Sequence, residues 1–159
     1  MKALRFAVVV LFCASASLVA QGRDPLAGAW ESTAAKNLTT GAALPALTPP
    51  LHVIYSNGQY VQFAARAGRP RTTTPPTELT KEQLQQMYQG VQGQYGTYRV
   101  DGNKLIRHIV SALNPNNEGR DVTTEFKIEG DTLIITGAGA GPSAAQTIEQ
   151  RFKKLSAGT

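Results

Sequence analysis

Cysteine is almost absent from this sequence, and histidine is scarce. Among 159 residues there is one cysteine, Cys13, and there are two histidines, His52 and His108. A single thiol forms no disulfide within the chain and no thiolate metal cluster. The two histidines fall in separate predicted strands, and no carboxylates stand near them at a ligand-like spacing. The sequence therefore predicts neither a metal site nor a cofactor.

Charged residues are also few, at 17% of the chain, and the excess of positive charge is mild. Sixteen Lys and Arg residues stand against eleven Asp and Glu residues. Two small basic clusters occur, one in a predicted loop and one near the chain end: Arg66, Arg69 and Arg71, and Lys153 and Lys154. Neither cluster is interleaved with aromatic residues that would stack on bases, so the sequence predicts no nucleic-acid partner.

Long hydrophobic runs of membrane-spanning length are lacking. The apolar run Phe6–Phe12 is too short for a bilayer, and it follows the basic residues Lys2 and Arg5. Small residues come next, with cleavage positions after Ala16 and after Ala20. This pattern predicts an export signal over residues 1–20, and hence a periplasmic or extracellular protein with no transmembrane segment after signal removal.

The remaining residues, 21–159, are enough for one domain with its own core. Asn57-Gly58 and Asp101-Gly102 are hairpin turn signals between apolar, β-branched segments. Thr80 and Gln83 have the spacing of a capping box, which predicts a helix over about Lys81–Gln89. Its face, formed by Leu84, Met87, Tyr88 and Val91, is expected to pack against the rest of the domain.

About eight short strands with one helix inserted after the third predict an all-β fold. Antiparallel strands at this spacing form a sandwich or a barrel. A single closed antiparallel barrel is favoured, because closure removes the exposed edges that a small sheet presents.

Four segments in this order resemble the bacterial lipocalin-like domain family of small β-barrels. They are Leu26–Glu31, Tyr55–Val61, Tyr95–Gly102, and Ile106–Ser111 followed by Asn114-Pro115 and Gly119. The chain departs from the family where Arg107 precedes His108, since the family often has two adjacent histidines there. The resemblance implies a lipocalin-like barrel that holds a small, largely apolar molecule.

The resemblance also implies how one end of the barrel is closed. Gly28 and Trp30 open the first strand, and lipocalins tend to pack a basic residue of the last strand over this tryptophan. Arg151 is the expected counterpart, with Lys153 second. The guanidinium would then lie on the indole face, worth about 0.5–2 kcal/mol.

Polar residues that lie in phase with apolar ones along a strand are the candidates for an internal site, because a small barrel keeps alternate side chains inside. On the strand from Lys104, either Arg107 or His108 faces inward, and alternation prevents both from doing so unless a bulge intervenes. The candidate ligand-binding residues are Tyr60, Gln62, Tyr98, Arg107 and His108.

Three functions remain open at this stage. The first is a binding module for a small hydrophobic or amphipathic molecule. The second is an isomerase- or cyclase-type enzyme in which His108, Arg107 and Tyr98 act on the substrate. The third is a barrel packed solid with side chains that serves as an envelope interaction protein. A His108 that faces solvent would exclude the enzyme in that form.

Overall fold

A computed structural model describes residues 24–45, 49–65, 67–138 and 145–156 of the chain. Within them the chain forms nine strands, one α-helix and two short 3-10 turns, at Pro76–Glu78 and Pro115–Asn117. The strands are β1 Gly28–Asn37, β2 Ala43–Leu44, β3 His52–Ser56, β4 Gln59–Ala65, β5 Val91–Asp101, β6 Lys104–Ala112, β7 Asp121–Glu129, β8 Thr132–Ala138 and β9 Thr147–Lys154; the helix α1 is Lys81–Tyr88.

Eight of these strands close into an antiparallel barrel, which confirms the predicted fold class. Each strand from β3 to β9 pairs with the next in the chain, and β1 pairs with both β3 and β9. The β1–β9 ladder runs from Trp30 opposite Lys154 to Asn37 opposite Ile148. The two-residue strand β2 adds only a short pairing to β1.

The hairpin between β3 and β4 shows how local sequence sets the register of the barrel. Asn57 and Gly58 form its two-residue turn with φ values of 50° and 73°, the left-handed region that Asn and Gly tolerate best. This turn places Tyr55 directly opposite Tyr60. Both rings therefore project from the same face of the sheet, into the barrel.

The core is the inward face of the barrel strands. Its buried members come from nearly every strand: Leu26, Trp30, Leu51, Val53, Tyr55, Tyr60, Ala64, Tyr98, Leu105, Leu133, Ile135 and Phe152. Each large apolar side chain of this kind contributes about 1.5–3 kcal/mol by leaving water. Because the described residues include no cysteine, packing rather than cross-linking holds this core together.

The helix α1 forms as predicted but does not pack as predicted. The Thr80 hydroxyl accepts from the Gln83 amide, and the Gln83 side chain accepts from the Thr80 amide, which completes the capping box. No residue of α1 is buried, and Tyr88 is 61% exposed. The expected packing face is therefore wrong. The helix lies in the segment that connects β4 to β5. The last residue of β4, Ala65, pairs directly with the first residue of β5, Val91.

The predicted export signal and both of its cleavage positions lie outside the described residues. In the part of the chain that is described, no helix has the length and apolar character needed to cross a membrane.

Candidate functional site

Strand β6 directs Arg107 into the barrel and His108 out of it. Leu105 and Ile109, the neighbours of Arg107 in the same phase, are 0% and 3% exposed. The His108 side chain is 50% exposed, and its Nδ1 lies 2.7 Å from Asp121 Oδ1 on the adjacent strand. Alternation alone did not decide which of Arg107 and His108 faces inward, and the structure shows that it is Arg107. The isomerase- or cyclase-type hypothesis therefore lacks the inward His108 that it needed as an acid or base.

A β-bulge next to this position changes the phase of β6. Gly96 pairs with Ile109, whereas Tyr95 pairs with Ser111, so Val110 is the extra residue. A Cβ on Gly96 would meet the His108 carbonyl oxygen at 1.8 Å, so only glycine fits this close approach. After the bulge, Ala112 lies opposite Gln94.

The bulge overturns the simple alternation read from the sequence. That alternation grouped Ala112 with His108. In the structure, Gln94 donates to the inward Tyr60 hydroxyl, and Ala112, which lies opposite Gln94, projects from the same face of the sheet. Val110, by contrast, is 45% exposed on the outer face. Ala112 therefore belongs to the interior, on the same side as Arg107.

Arg107 lies at the centre of a polar cluster on the inner wall formed by β3 to β6. Its Nη1 donates to Gln62 Oε1 at 3.0 Å, and its Cζ lies 5.7 Å from the centre of the Tyr60 ring. The Tyr60 hydroxyl accepts from Gln94 Nε2 at 3.3 Å. Gln62, Gln94 and Arg107 are partly buried, so the cluster extends from solvent into the interior.

Two buried polar atoms of this cluster make no well-formed hydrogen bond: the Tyr55 hydroxyl and Arg107 Nε. The Arg107 side chain nevertheless lies close enough to the Tyr55 hydroxyl to lower its pKa. Tyr55 is only 1% exposed, and its ring centre lies 6.2 Å from that of Tyr60. A buried donor without a partner costs about 1–3 kcal/mol, and such groups are uncommon in folded proteins. These two atoms are therefore the least satisfied part of the interior.

The tyrosines of the cluster keep their protons at neutral pH. Burial raises the pKa of Tyr55 above its ordinary value, and the charge of Arg107 and the close contact of its side chain with the Tyr55 hydroxyl oppose that rise. The pKa of Tyr60 is raised for the same reason and opposed in the same way. Both hydroxyls are therefore neutral hydrogen-bonding groups next to a guanidinium that carries its full charge.

Tyr98 is inward but already engaged. Its ring meets Tyr55 edge-on with ring centres 4.9 Å apart, and its hydroxyl donates to Asp24 Oδ2. Burial, followed by the hydrogen bond to Asp24, raises the pKa of Tyr98. Asp24 Oδ1 also accepts from the Leu26 amide. This bond ties the entry segment to the barrel wall and leaves Tyr98 as wall rather than as a proton donor to a ligand.

The barrel end around Trp30 is closed by a different basic residue from the one expected. Lys154 Nζ lies 5.1 Å from the centre of the Trp30 ring, because β1 and β9 place these two residues opposite each other. Arg151 pairs instead with Ala34 on β1, and its Nε contacts Glu149 at 2.9 Å. The placement of Arg151 over the indole is therefore wrong, and Lys153 faces Glu31 rather than the tryptophan.

Gly28 and the Trp30 indole nitrogen complete this closed end. A Cβ on Gly28, at φ 128°, would meet Lys154 Cε at 3.0 Å. Trp30 Nε1 donates to the Leu26 carbonyl at 2.8 Å. The polar groups of this end are satisfied, so the unpaired atoms lie around Arg107 instead.

The structure brings together Tyr60, Gln62 and Arg107 of the sequence candidates, and it adds Tyr55 and Gln94. Tyr55 was absent from the candidate list, although the Asn57-Gly58 turn already implied that it faces Tyr60. Gln94 had no such signal, because its position depends on the bulge. No cluster of three or more His, Cys, Asp or Glu side chains suited to a metal occurs in the described ranges.

Two surface clefts lie away from this cluster. One, of about 410 Å³, follows the seam where β7 and β8 separate, and the other, of about 450 Å³, lies beside α1. Thr123, Thr136 and Thr147 are among the residues lining the first. Neither cleft is lined by Arg107 or its partners.

Residues 52–154 match the lipocalin-like domain family. Two crystal structures are similar in fold: a lipocalin-like protein from Bacteroides uniformis, at 14% identity, and an uncharacterised protein from Bacteroides eggerthii, at 10%. Each structure has a TM-score of 0.46, and each alignment covers 82% of this chain. The alignments cover 98% of the Bacteroides uniformis chain and 99% of the Bacteroides eggerthii chain. No curated protein matches the chain.

Proposed function

This chain belongs to the lipocalin-like domain family, and on that premise we propose that it binds a small, largely apolar molecule inside its barrel. The observation that carries the proposal is the pair of unpaired atoms, Tyr55 Oη and Arg107 Nε, within an apolar interior. A ligand with a polar end would supply the missing partner, while its apolar part would contact the barrel wall.

Arg107 is able to move to admit such a ligand. Neither unpaired atom borders open space, so an entering group has to displace a side chain. Arg107 is tied by one neutral hydrogen bond, to Gln62, and by the Tyr60 ring contact. No ion pair within the described residues fixes it. Ala112, opposite Gln94, places only a small side chain on the inner wall.

The test is binding of a neutral apolar fluorophore, N-phenyl-1-naphthylamine, to the purified protein. A matched pair of variants separates the interior from the surface: Ala112→Trp adds an indole inside, and Val110→Trp adds one outside. We expect wild type and Val110→Trp to bind the fluorophore saturably with one site, and Ala112→Trp to bind at least about tenfold more weakly.

Folding of both variants is checked by far-UV circular dichroism, and Ala112→Leu serves as a smaller obstruction if Ala112→Trp is not folded. Equal binding by all three proteins would place the fluorophore on the surface. An absence of binding by any of them would favour the solid-core barrel. Either result would overturn the proposal.

We also propose that the protein is exported, on the basis of Lys2 and Arg5, the apolar run and the small residues that follow. Intact-mass measurement of protein from the source cell envelope or medium tests this. A chain beginning at Gln21 or Ser17 is expected, and an uncleaved chain found in the cytosol would contradict it.

A further inference from the structure

We propose that the ligand carries a single carboxylate, bound by the Nε and Nη2 edge of Arg107 with the Tyr55 hydroxyl as a further donor. This rests on the proposed function and adds the chemical class of the ligand's polar end. The juxtaposition that supports it is a partly buried guanidinium whose Nε makes no well-formed hydrogen bond, beside a fully buried tyrosine hydroxyl that also makes none.

Arg107 forms no ion pair with any Asp or Glu residue, all eleven of which lie in the described ranges. The ion pairs seen within 4.0 Å among the described residues involve His52, His108, Lys127 and Arg151 instead. The tyrosines around Arg107 are protonated at neutral pH and supply no negative charge. A partly buried charge without a counter-ion is unfavourable, so an anion is the partner that this position lacks.

The geometry of the guanidinium favours a carboxylate over other acceptors. Gln62 takes a hydrogen from Nη1, and Nε makes no well-formed hydrogen bond, so an incoming acceptor would approach the Nε–Nη2 side of the fork. That side presents two parallel N–H groups, which match the two oxygens of one carboxylate. A ketone or amide oxygen would satisfy one donor and leave the charge unmatched.

The number of charges favours a monoanion. Arg107 is the one cation of the cluster, and the remaining members, Tyr55, Tyr60, Gln62 and Gln94, are neutral. A dianionic phosphate would bring a second negative charge into an apolar wall without a second cation. The cluster therefore fits an organic acid whose remainder is apolar.

The alternative is that Arg107 only supports the wall, through Gln62 and the Tyr60 ring. That role predicts a loss of stability when Arg107 is replaced, but no preference between acidic and neutral ligands. The affinity ratio between an acid and the alcohol of equal chain length therefore distinguishes the two roles. If Arg107 were merely structural, its replacement would leave this ratio unchanged.

The experiment is displacement of N-phenyl-1-naphthylamine by octanoate and dodecanoate, each compared with the alcohol of equal chain length. The proteins are wild type, Arg107→Met, Arg107→Lys and, as a control, Arg99→Met, which removes an exposed arginine from the adjacent strand β5. We expect wild type and Arg99→Met to prefer the acids by about tenfold or more, as for a charge-assisted pair.

Arg107→Met is expected to bind acid and alcohol equally, and Arg107→Lys to retain part of the preference, since it keeps the charge but not the fork. Tyr55→Phe provides a second variant if Arg107→Met does not fold, and it is expected to weaken acid binding more than alcohol binding.

Equal displacement by acid and alcohol in wild type would overturn the carboxylate proposal and leave the proposed function standing. A preference for the acid that survives in Arg107→Met would also overturn it. Failure of the fluorophore to bind at all would overturn both proposals together.

Discussion

At the residue scale, the interior contains one hydroxyl whose removal is expected to cost little. The Tyr55 hydroxyl is buried and makes no well-formed hydrogen bond, whereas the Tyr98 hydroxyl donates to the Asp24 carboxylate. These two tyrosines are in edge-on contact. They therefore form a natural matched pair for measuring what an unpaired group does to stability.

We predict that Tyr55→Phe leaves the free energy of unfolding unchanged or raises it by up to about 1 kcal/mol, because it removes a buried polar group without breaking a bond. Tyr98→Phe is expected to lower it by about 1.5–3 kcal/mol, because it breaks a hydrogen bond to a charged group. Urea unfolding at pH 7 measures both. A loss in Tyr55→Phe as large as that in Tyr98→Phe would show that the Tyr55 hydroxyl has a partner.

The pH dependence of stability follows from the same burial. The pKa of Tyr55 is raised above the ordinary value of 10.0, so the folded state holds its proton more tightly than the unfolded state. This contribution is complete below pH 10 and is lost as the pH rises above 10 toward the folded pKa. The decline in unfolding free energy above pH 10 should be shallower in Tyr55→Phe than in wild type, and identical slopes would contradict this assignment.

Lys154 and Arg151 provide a second residue-scale prediction, at the closed end of the barrel. Lys154→Met should lower the free energy of unfolding by about 0.5–1 kcal/mol through loss of the cation–π contact with Trp30. Arg151→Met removes the same charge from an exposed pair with Glu149, and it should change the value by less than about 0.5 kcal/mol. Thermal unfolding of the two variants side by side measures the difference. The reverse order would restore Arg151 as the closing residue.

Most of the inward residues of the site could be predicted from the sequence, but the residues that they contact could not. Tyr60, Gln62 and Arg107 were named because polar residues in phase with apolar ones are expected to face the interior. The partner of Trp30 was misassigned because a register along β1 and β9, with a bulge between Ser32 and Ala34, decides which β9 residue faces the indole. Such a register follows from closing the whole barrel and has no local sequence signal.

At the scale of elements, the segment between β4 and β5 is an addition to a hairpin that is complete without it. Ala65 and Val91 pair directly, and the helix between them buries no residue. Its capping box explains why it is helical. The sequence identified this helix through the capping box, but its amphipathic spacing wrongly suggested a packed face, since a half-exposed stripe of Leu84 and Met87 suffices for so short an element.

We predict that replacing residues 66–90 with Asn-Gly leaves the barrel folded. The free energy of unfolding should be unchanged or raised by up to about 2 kcal/mol, because a shorter connection costs less entropy to close. Far-UV circular dichroism and urea unfolding measure this. An insoluble or markedly destabilised product would show that α1 packs on the barrel after all.

The bulge opposite Gly96 was not predicted from the sequence, and it has the largest effect on which side chains face the interior. Asn-Gly and Asp-Gly are local signals for hairpin turns, and both hairpins form. The Asn57-Gly58 turn is confirmed, whereas the second turn consists of Gly102 and Asn103, with Asp101 paired to Lys104 as the last residue of β5. A glycine inside a strand indicates a bulge only weakly, and the clash of a Cβ with the His108 carbonyl becomes visible only when both strands are in place. That one extra residue is what brings Ala112 to the inner wall.

At the scale of the whole molecule, closure of β1 onto β9 turns a meander of hairpins into a barrel with an inside. Strand count and turn spacing were enough to predict this closed fold, because eight antiparallel strands leave few other ways to remove both edges. The interior that results is apolar at the Trp30 end and polar around Arg107. In the function proposed above, the Nε side of Arg107 binds the acidic end of an apolar ligand in this polar part of the interior.

The most direct test is the NMR signal of the Arg107 Nε–H in uniformly ¹⁵N-labelled protein, assigned by its absence in Arg107→Lys. We predict that saturating dodecanoate shifts this signal, because a carboxylate becomes the acceptor that Nε lacks, and that dodecan-1-ol at the same occupancy leaves it near its free position. An Nε–H signal that is unchanged at full occupancy by dodecanoate would contradict the account.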